Sequence, residues 1–310
     1  MTINVLFAAS DQRWPEYQAP LQNACSKAGL DIHLSRDIAP DQVDYIVYAP
    51  NSEVQDFTPF TRAKAVLNLW AGVESVTFNK TLTLPLCRMV DPSLTQGMVE
   101  WVTGHVLRHH LGMDAHITCP PGTWAPKTPP VAWDRNVTVF GLGELGTACA
   151  KALKGLGFDV GGWARSQKKI EGVTCWSGAD GFLSALERSE TAVLLLPDTP
   201  ATTNLFDATA FAAMPQGAFI INPGRGPLID DDALFNALDS GQIAHATLDV
   251  FRQEPLPADH PFWAHPNVTV TPHIAAETRA AYSAETIAEN IKRGEAGEPF
   301  LYLVDRALGY

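Results

Sequence analysis

The stretch Val139-Phe-Gly-Leu-Gly-Glu-Leu-Gly146 decides the fold. A short apolar strand, Arg135 to Phe140, runs straight into three glycines spaced Gly141-x-Gly143-x-x-Gly146, and a helical stretch beginning Thr147-Ala-Cys-Ala follows. Strand, glycines and helix in that order are the fingerprint of a dinucleotide site. Gly141 permits the tight turn, Gly143 lets the backbone approach a pyrophosphate, and Gly146 lets the helix sit close on the sheet. The helix start, with Glu144 and Leu145, offers N–H groups that have no intrahelical acceptor and suit phosphate oxygens.

Working outward, the same alternation extends in both directions. After the fingerprint come apolar strands at Asp159 to Trp163, Thr191 to Leu196, Ala218 to Asn222, Ala246 to Asp249 and Val268 to Thr271. A helix over Asp231 to Ser240 has Asp230 as N-cap, acids in its first turn and Gly241 at its end. Before the fingerprint, strands at residues 3–9, Tyr45 to Ala49 and Ala65 to Trp70 and a helix from Tyr17 to Gly29 form an α/β unit without a nucleotide motif. From Leu94, apolar residues at helical spacing predict a long helix that opens the second domain. Five prolines between Pro120 and Pro130 then forbid regular structure, so that segment should wrap over the surface or a partner subunit. A last helix, about Glu277 to Arg293, should cross back to the first unit. The expected fold is α/β: two doubly wound parallel-sheet (Rossmann-like) domains with a cleft between them, residues 1–93 plus 277–310 forming a discontinuous substrate domain and 94–276 the dinucleotide domain.

At 310 residues the chain is long enough for two cores, and its formal net charge of −12 argues against polyanion partners such as nucleic acid. The five cysteines are odd in number, scattered and never in a C-x-x-C pair, which points to reduced thiols rather than disulfides or zinc. No basic leader precedes the short N-terminal apolar run, and no run approaches a membrane span, so a soluble cytoplasmic protein is expected. His105, His109 and His110 share a helix but lack an acidic partner motif, and packing is their expected role; no metal site is expected. Trp14, Tyr17 and Tyr48 could border a pocket, yet core packing is the plainer reading.

Three segments fall at or after predicted strand ends, where ligands bind in open α/β sheets. They are Asn222-Pro-Gly-Arg-Gly-Pro, Leu248-Asp-Val-Phe-Arg-Gln-Glu-Pro-Leu-Pro and Thr271-Pro-His-Ile-Ala-Ala. Arg225 can fork a carboxylate and lean on a carbonyl oxygen as charge develops there. His273 with Glu254 nearby makes a proton donor suited to neutral pH. With a nicotinamide, such groups suit hydride transfer to the carbonyl of a 2-oxo acid.

These motifs resemble the D-isomer-specific 2-hydroxyacid dehydrogenases over nearly the whole chain. LDVFRQEPLP, TPHIAAETR and the terminal GEPFLYLVDRALGY are most similar to the glyoxylate/hydroxypyruvate reductase A type. The resemblance implies that Arg225 binds and polarises the oxo acid, that His273 is the general acid in reduction, and that Glu254 pairs with it. It also implies that the backbone of Ala71-Gly72-Val73 grips the substrate carboxylate from the opposite domain. Leu196, Pro197 and Thr202 would lie along the cofactor, as would Pro223 and Gly224 beside Arg225, with Asp249 near the nicotinamide amide. A homodimer built on the long helix and the proline-rich loop is implied as well.

The cofactor can be argued physically. An NAD enzyme places an acid at the end of the second strand, about 20 residues past the glycines, to accept from the ribose 2′-OH. Here that region reads Gly162-Trp-Ala-Arg-Ser-Gln-Lys-Lys169 without an acid. Arg165, Ser166, Lys168 and Lys169 instead supply positive charge and a hydroxyl to a 2′-phosphate, with Trp163 expected beside the cofactor, so NADP(H) is the expected cofactor, with NAD(H) possible. Two other readings stay open: the same fold acting on a lactate-, phosphoglycerate- or formate-type substrate, and a nucleotide-sensing binding protein without turnover.

Overall fold

The computed structural model describes residues 2–309. The chain divides into two compact units, one of Met1–Leu94 with Glu277–Tyr310 and one of Thr95–Ala276.

In the first unit, five parallel strands run β1 (Ile3–Ala8), β2 (Ile32–Ser35), β3 (Tyr45–Tyr48), β4 (Ala65–Asn68) and β5 (Leu86–Cys87), in the sheet order β2-β1-β3-β4-β5. Every residue of β3 and β4 is buried, as expected of parallel strands covered on both faces. Alternation then sorts the side chains. Val5, Phe7, Tyr45, Val47, Ala65 and Leu67 pack under Tyr17 and Leu21 of the helix Trp14–Lys27 and Ile287 and Ile291 of the helix Ala280–Ala296. Leu6, Ala8, Ile46, Tyr48 and Val66 face the opposite way, against Phe57, Phe60 and Leu82. Tyr17 and Tyr48 are therefore core residues, and Trp14 packs on Phe7 with 5.3 Å between ring centroids.

In the second unit, β6 (Asn136–Phe140), β7 (Asp159–Ala164), β8 (Thr174–Ser177), β9 (Thr191–Leu194), β10 (Ala218–Asn222), β11 (Ile243–Leu248) and β12 (Val268–Val270) form one parallel sheet ordered β12-β11-β10-β9-β6-β7-β8. The order reverses between β6 and β9, the topological switch point beside which such sheets bind dinucleotides. Val137, Val139, Val193 and Ile221 cover one face with Leu153 of the helix Glu144–Gly155 and with Met98, Val102 and Val106 of the helix Pro92–Leu111. Phe140, Leu194, Ile220 and Leu248 cover the other with Leu186, Phe206, Leu234 and Leu238.

The helix Pro92–Leu111 starts two residues before the expected Leu94, because the Asp91 carboxylate accepts the N–H of Ser93 at 2.7 Å and of Leu94 at 3.0 Å. Proline in the first turn suits that start. Asp230 caps the helix Asp231–Asp239 by accepting the Ala233 N–H at 2.9 Å. Three strands go beyond the sequence reading. All three are edge strands: β2 and β8, of four residues each, are too short and too polar for an apolar run, and β5 has only two residues.

His109 lies on the buried side of its helix, its Nε2 2.9 Å from Thr247 Oγ1 and its ring stacked on Phe219. Among the described residues no helix is long and apolar enough to cross a membrane, and no group of three His, Cys, Asp or Glu side chains could hold a metal ion.

Candidate active site

The fingerprint turn leaves β6 at Gly141, whose φ of 106° only glycine adopts freely and whose Cβ, were there one, would stand 2.3 Å from the Leu195 carbonyl oxygen. A Cβ at Gly146 would stand 1.7 Å from the Gly141 carbonyl oxygen, so the helix lies on the turn at a distance only glycine permits. Gly143 is different: a Cβ there would meet no atom within 4 Å. Its bare backbone faces open space at the start of the helix Glu144–Gly155, where no side chain caps the first N–H groups. That is the cradle a pyrophosphate needs. Glu144 is exposed and Leu145 half-buried at this end.

At the end of β7, Arg165, Ser166 and Lys168 are all exposed. Between them, Gln167 turns back: its Nε2 donates to the Cys175 carbonyl at 3.2 Å and its Oε1 accepts from Ser177 Oγ at 3.0 Å, pinning the basic turn to β8. Trp163 serves the core, with Nε1 donating to the Gly178 carbonyl at 2.9 Å and its ring packed against Phe182. After β9, Leu196 is buried in the core, and the Thr202 hydroxyl donates to the Pro197 carbonyl at 2.6 Å while accepting the Thr199 N–H at 2.9 Å. Both residues shape the loop from within.

Asn222 ends β10 and braces the next turn. Its Oδ1 accepts the Gly224 N–H at 3.1 Å, and its Nδ2 donates to the Arg225 carbonyl at 2.9 Å. Pro223 and Gly224 are buried, and Arg225 is half-buried with Nη1 donating to the Gly224 carbonyl at 2.6 Å.

Glu254 follows β11. Its Oε1 accepts the Phe251 N–H at 2.9 Å, which leaves Oε2 to meet His273 Nδ1 at 2.7 Å. A carboxylate accepts only, so Nδ1 carries the proton and Nε2 is the nitrogen left to work. His273 itself is half-exposed and sits in the left-handed region, at φ 54°. A side chain other than glycine in that region is uncommon and needs holding. Asp249, fully buried, does this: its carboxylate accepts from Thr271 Oγ1 and from the N–H groups of Ile274 and Ala275.

The second unit thus brings Arg225, Glu254 and His273 to the loops after β10, β11 and β12. Asn222 and the bracing work of Asp249 were not foreseen. The Asn-Pro-Gly signature, an Asx turn at a strand end, is the signal that marks Asn222.

In the first unit, Asn68 ends β4 and its Nδ2 donates to the carbonyls of Trp70 at 2.8 Å and Gly72 at 3.1 Å. Each trans peptide points its N–H opposite to its carbonyl, so the N–H groups of Ala71 and Val73 point away from Asn68. Val73 is buried, and its carbonyl accepts from Val76 and Thr77 to start the short helix Glu74–Thr77.

A glycine cradle at the switch point of a seven-stranded sheet, with an Arg, a Glu and a His on neighbouring strand ends, defines a dinucleotide-dependent dehydrogenase. Residues 106–275 match the family described as D-isomer specific 2-hydroxyacid dehydrogenase, NAD binding domain. A glyoxylate/hydroxypyruvate reductase A from Serratia proteamaculans (strain 568) is 39% identical over 257 residues, covering 80% of this chain and 82% of that protein. The crystal structure of a D-isomer specific 2-hydroxyacid dehydrogenase from Xanthobacter autotrophicus Py2 in complex with NADPH and MES is similar at TM-score 0.92, with 39% identity and all of both chains covered. That of an NADPH-dependent glyoxylate/hydroxypyruvate reductase from Sinorhizobium meliloti in complex with NADP and sulfate is similar at TM-score 0.84, with 33% identity, covering 100% of this chain and 99% of that one. The chain belongs to the D-isomer-specific 2-hydroxyacid dehydrogenase family: it is an oxidoreductase that uses a nicotinamide cofactor.

Proposed function

We propose that this enzyme reduces small 2-oxo acids, glyoxylate and hydroxypyruvate, to glycolate and D-glycerate, with NADP(H) preferred and NAD(H) also possible. The observation that carries the reading is the His273–Glu254 pair at 2.7 Å, held after the strands of a sheet whose first turn is a glycine cradle. Names borne by relatives support the substrate class, and the NADPH and NADP bound in two of them support the cofactor.

The groups that would hold the cofactor are Gly141, Gly143, Glu144, Leu145 and Gly146 at the pyrophosphate and Arg165, Ser166 and Lys168 at the 2′-phosphate. Leu196, Pro197, Thr202, Pro223, Gly224 and Asp249 would line the rest. Bound there, the nicotinamide supplies the hydride. The protein supplies the proton and the charge. Arg225 forks the substrate carboxylate and leans on the oxo oxygen, where negative charge grows. The N–H groups of Ala71 and Val73, with the glycine between them, hold the carboxylate. His273 delivers the Nε2 proton to the nascent alkoxide while the Glu254 carboxylate holds the ring and balances its charge. In oxidation the same nitrogen accepts the proton.

The test is a panel of 2-oxo acids with NADPH and NADH, run on wild type and Arg165→Ala. The reading expects turnover of glyoxylate and hydroxypyruvate, and a Michaelis constant for NADPH raised severalfold in the variant with NADH little changed. A wild type that prefers NADH, or an equal effect on both cofactors, overturns the assignment of the basic turn. No turnover with any oxo acid favours a binding protein instead.

We further propose a homodimer in the cytoplasm. Ile117, Trp124 and Trp133, all between residues 112 and 134, are 73, 93 and 70% exposed, and large apolar side chains left so open favour a partner. The five cysteines are free thiols, which supports a reducing compartment. Light scattering that finds only the 33.6 kDa chain at micromolar concentration overturns the dimer.

A further inference from the structure

We propose that Arg252 is a positioning residue for the proton-transfer pair: its guanidinium fastens the loop that carries Glu254 to the loops after β9 and β10. The inference rests on the roles proposed above for His273 and Glu254, and it adds a side chain that touches neither substrate nor cofactor.

Arg252 lies two residues before Glu254. Its Nη2 donates to Asn204 Oδ1, on the loop after β9, and to the Ile229 carbonyl, on the segment that continues from Arg225. Its Nε lies 3.4 Å from the Asp231 carboxylate. Two of these partners are themselves joined, because the Asn204 N–H donates to the Pro227 carbonyl at 2.8 Å. Asn204 sits at φ 55°, a left-handed conformation that a side-chain bond helps to hold. One fork therefore binds three loops that leave three consecutive strands of the sheet.

The backbone around Arg252 transmits this to the pair. The Phe251 N–H holds Glu254 Oε1 at 2.9 Å. The Phe251–Arg252 peptide lies so close to Gly226 that a Cβ there would stand 2.1 Å from the Phe251 carbonyl carbon. Gly226 follows Arg225, so one contact fixes the Arg225 turn and the Glu254 loop together. Beside the guanidinium is a cavity of about 180 Å³ whose lining includes Asp231, Leu256, His260 and Phe262. Packing is incomplete on that side of the loop, so the fork adds to the Phe251 and Gly226 contacts in fastening it. Burial pushes the Asp231 carboxyl up, and Arg252 opposes the rise, which ties the guanidinium to a half-buried charge. A lysine could not do the same work, since one ammonium cannot present the fixed fork that reaches an amide, a carbonyl and a carboxylate at once.

The experiment compares Arg252→Met, Arg252→Lys, Glu254→Gln and the doubles Glu254→Gln/Arg252→Met and Glu254→Gln/Arg252→Lys, by initial rates with glyoxylate and NADPH and by thermal melting. Arg252→Met is expected to lower kcat about tenfold or more, part of the worth of a well-placed proton donor, with KM for NADPH unchanged. Arg252→Lys should recover only part of that loss. Each double should be no slower than Glu254→Gln alone, within about twofold, because groups that act through one another are not additive. If Arg252→Met does not fold, Arg252→Lys and its double carry the comparison. Losses that multiply in the doubles, or normal turnover in the Arg252 variants beside an impaired Glu254→Gln, overturn the proposal for Arg252. Normal turnover in Glu254→Gln overturns the role of the pair itself, and with it this inference.

Discussion

Asp249 holds His273 from two sides at once. Its carbonyl accepts the His273 N–H at 2.9 Å, and its carboxylate accepts the two N–H groups that follow, of Ile274 and Ala275, each at 2.9 Å, together with Thr271 Oγ1 at 2.5 Å. A turn that places a histidine at φ 54° is thereby clamped by one buried carboxylate. Asp249→Asn keeps the shape but turns an amide N–H₂ toward groups that are themselves donors. Leaving such a group unpaired costs about 1–3 kcal/mol. Chemical denaturation should register that loss, and kcat should fall with it. A variant as stable as wild type would remove Asp249 from this role.

His273 and Glu254 make separate predictions. His273→Ala should cut kcat by ~10²–10⁴, the usual worth of a positioned proton donor, with substrate affinity much less changed. Glu254→Gln keeps an acceptor for Nδ1 at the 2.7 Å contact but removes the carboxylate that balances charge on the ring. Its kcat for reduction should fall by about tenfold or more, with KM for NADPH unchanged. Normal kcat in Glu254→Gln takes Glu254 out of the chemistry, and near-normal turnover in His273→Ala takes out the proton donor.

The glycine cradle separates folding from binding. Gly146→Ala drives a methyl to 1.7 Å from the Gly141 carbonyl oxygen, so the helix must lift and the melting temperature must drop. Gly143→Ala meets nothing in the protein. It should melt like wild type yet raise KM for the dinucleotide at least severalfold, because the methyl occupies the space the pyrophosphate needs. Equal stability in the two variants would refute this division of labour.

The same contrast explains what could be read from the sequence. Long buried strands such as β3 and β4 announce themselves by unbroken apolar runs, and the fingerprint by its glycines. The placement of Arg225, Glu254 and His273 on the loops after β10, β11 and β12 was legible because each follows an apolar run and a turn signature. The side chains that hold the turns were not singled out. Asn68 and Asn222 bond groups two to four residues further on, and for Asn222 the Asn-Pro-Gly signature was there to be read. Arg252 works through Asn204, Ile229 and Asp231, partners that only folding brings near and that no local pattern in the chain records. Trp163, Leu196 and Thr202, expected beside the cofactor, also serve the fold: Trp163 and Leu196 pack in the core and the Thr202 hydroxyl bonds its own loop.

The last prediction concerns His109 and His245, which share the buried side of the second unit's sheet with 5.1 Å between ring centroids. Burial is the main cause that brings His109 down to about 3 and His245 down to about 4; His245 at His109 and the Arg108 cation at both add to the fall, while Asp114 pulls the other way. Both are therefore neutral in the fold. In the unfolded chain they bind protons near the ordinary value of about 6.5. Below that pH the unfolded state holds more protons than the folded one, so stability falls as pH falls. It is fully present above about pH 6.5 and is lost progressively toward about pH 4 for His245 and about pH 3 for His109, by up to about 1.4 kcal/mol per pH unit for each histidine. Urea unfolding at pH 7, 6 and 5 should show this slope, and His109→Gln, which can still reach Thr247, should flatten it. The same slope in wild type and variant would show that the acid sensitivity of the fold lies elsewhere.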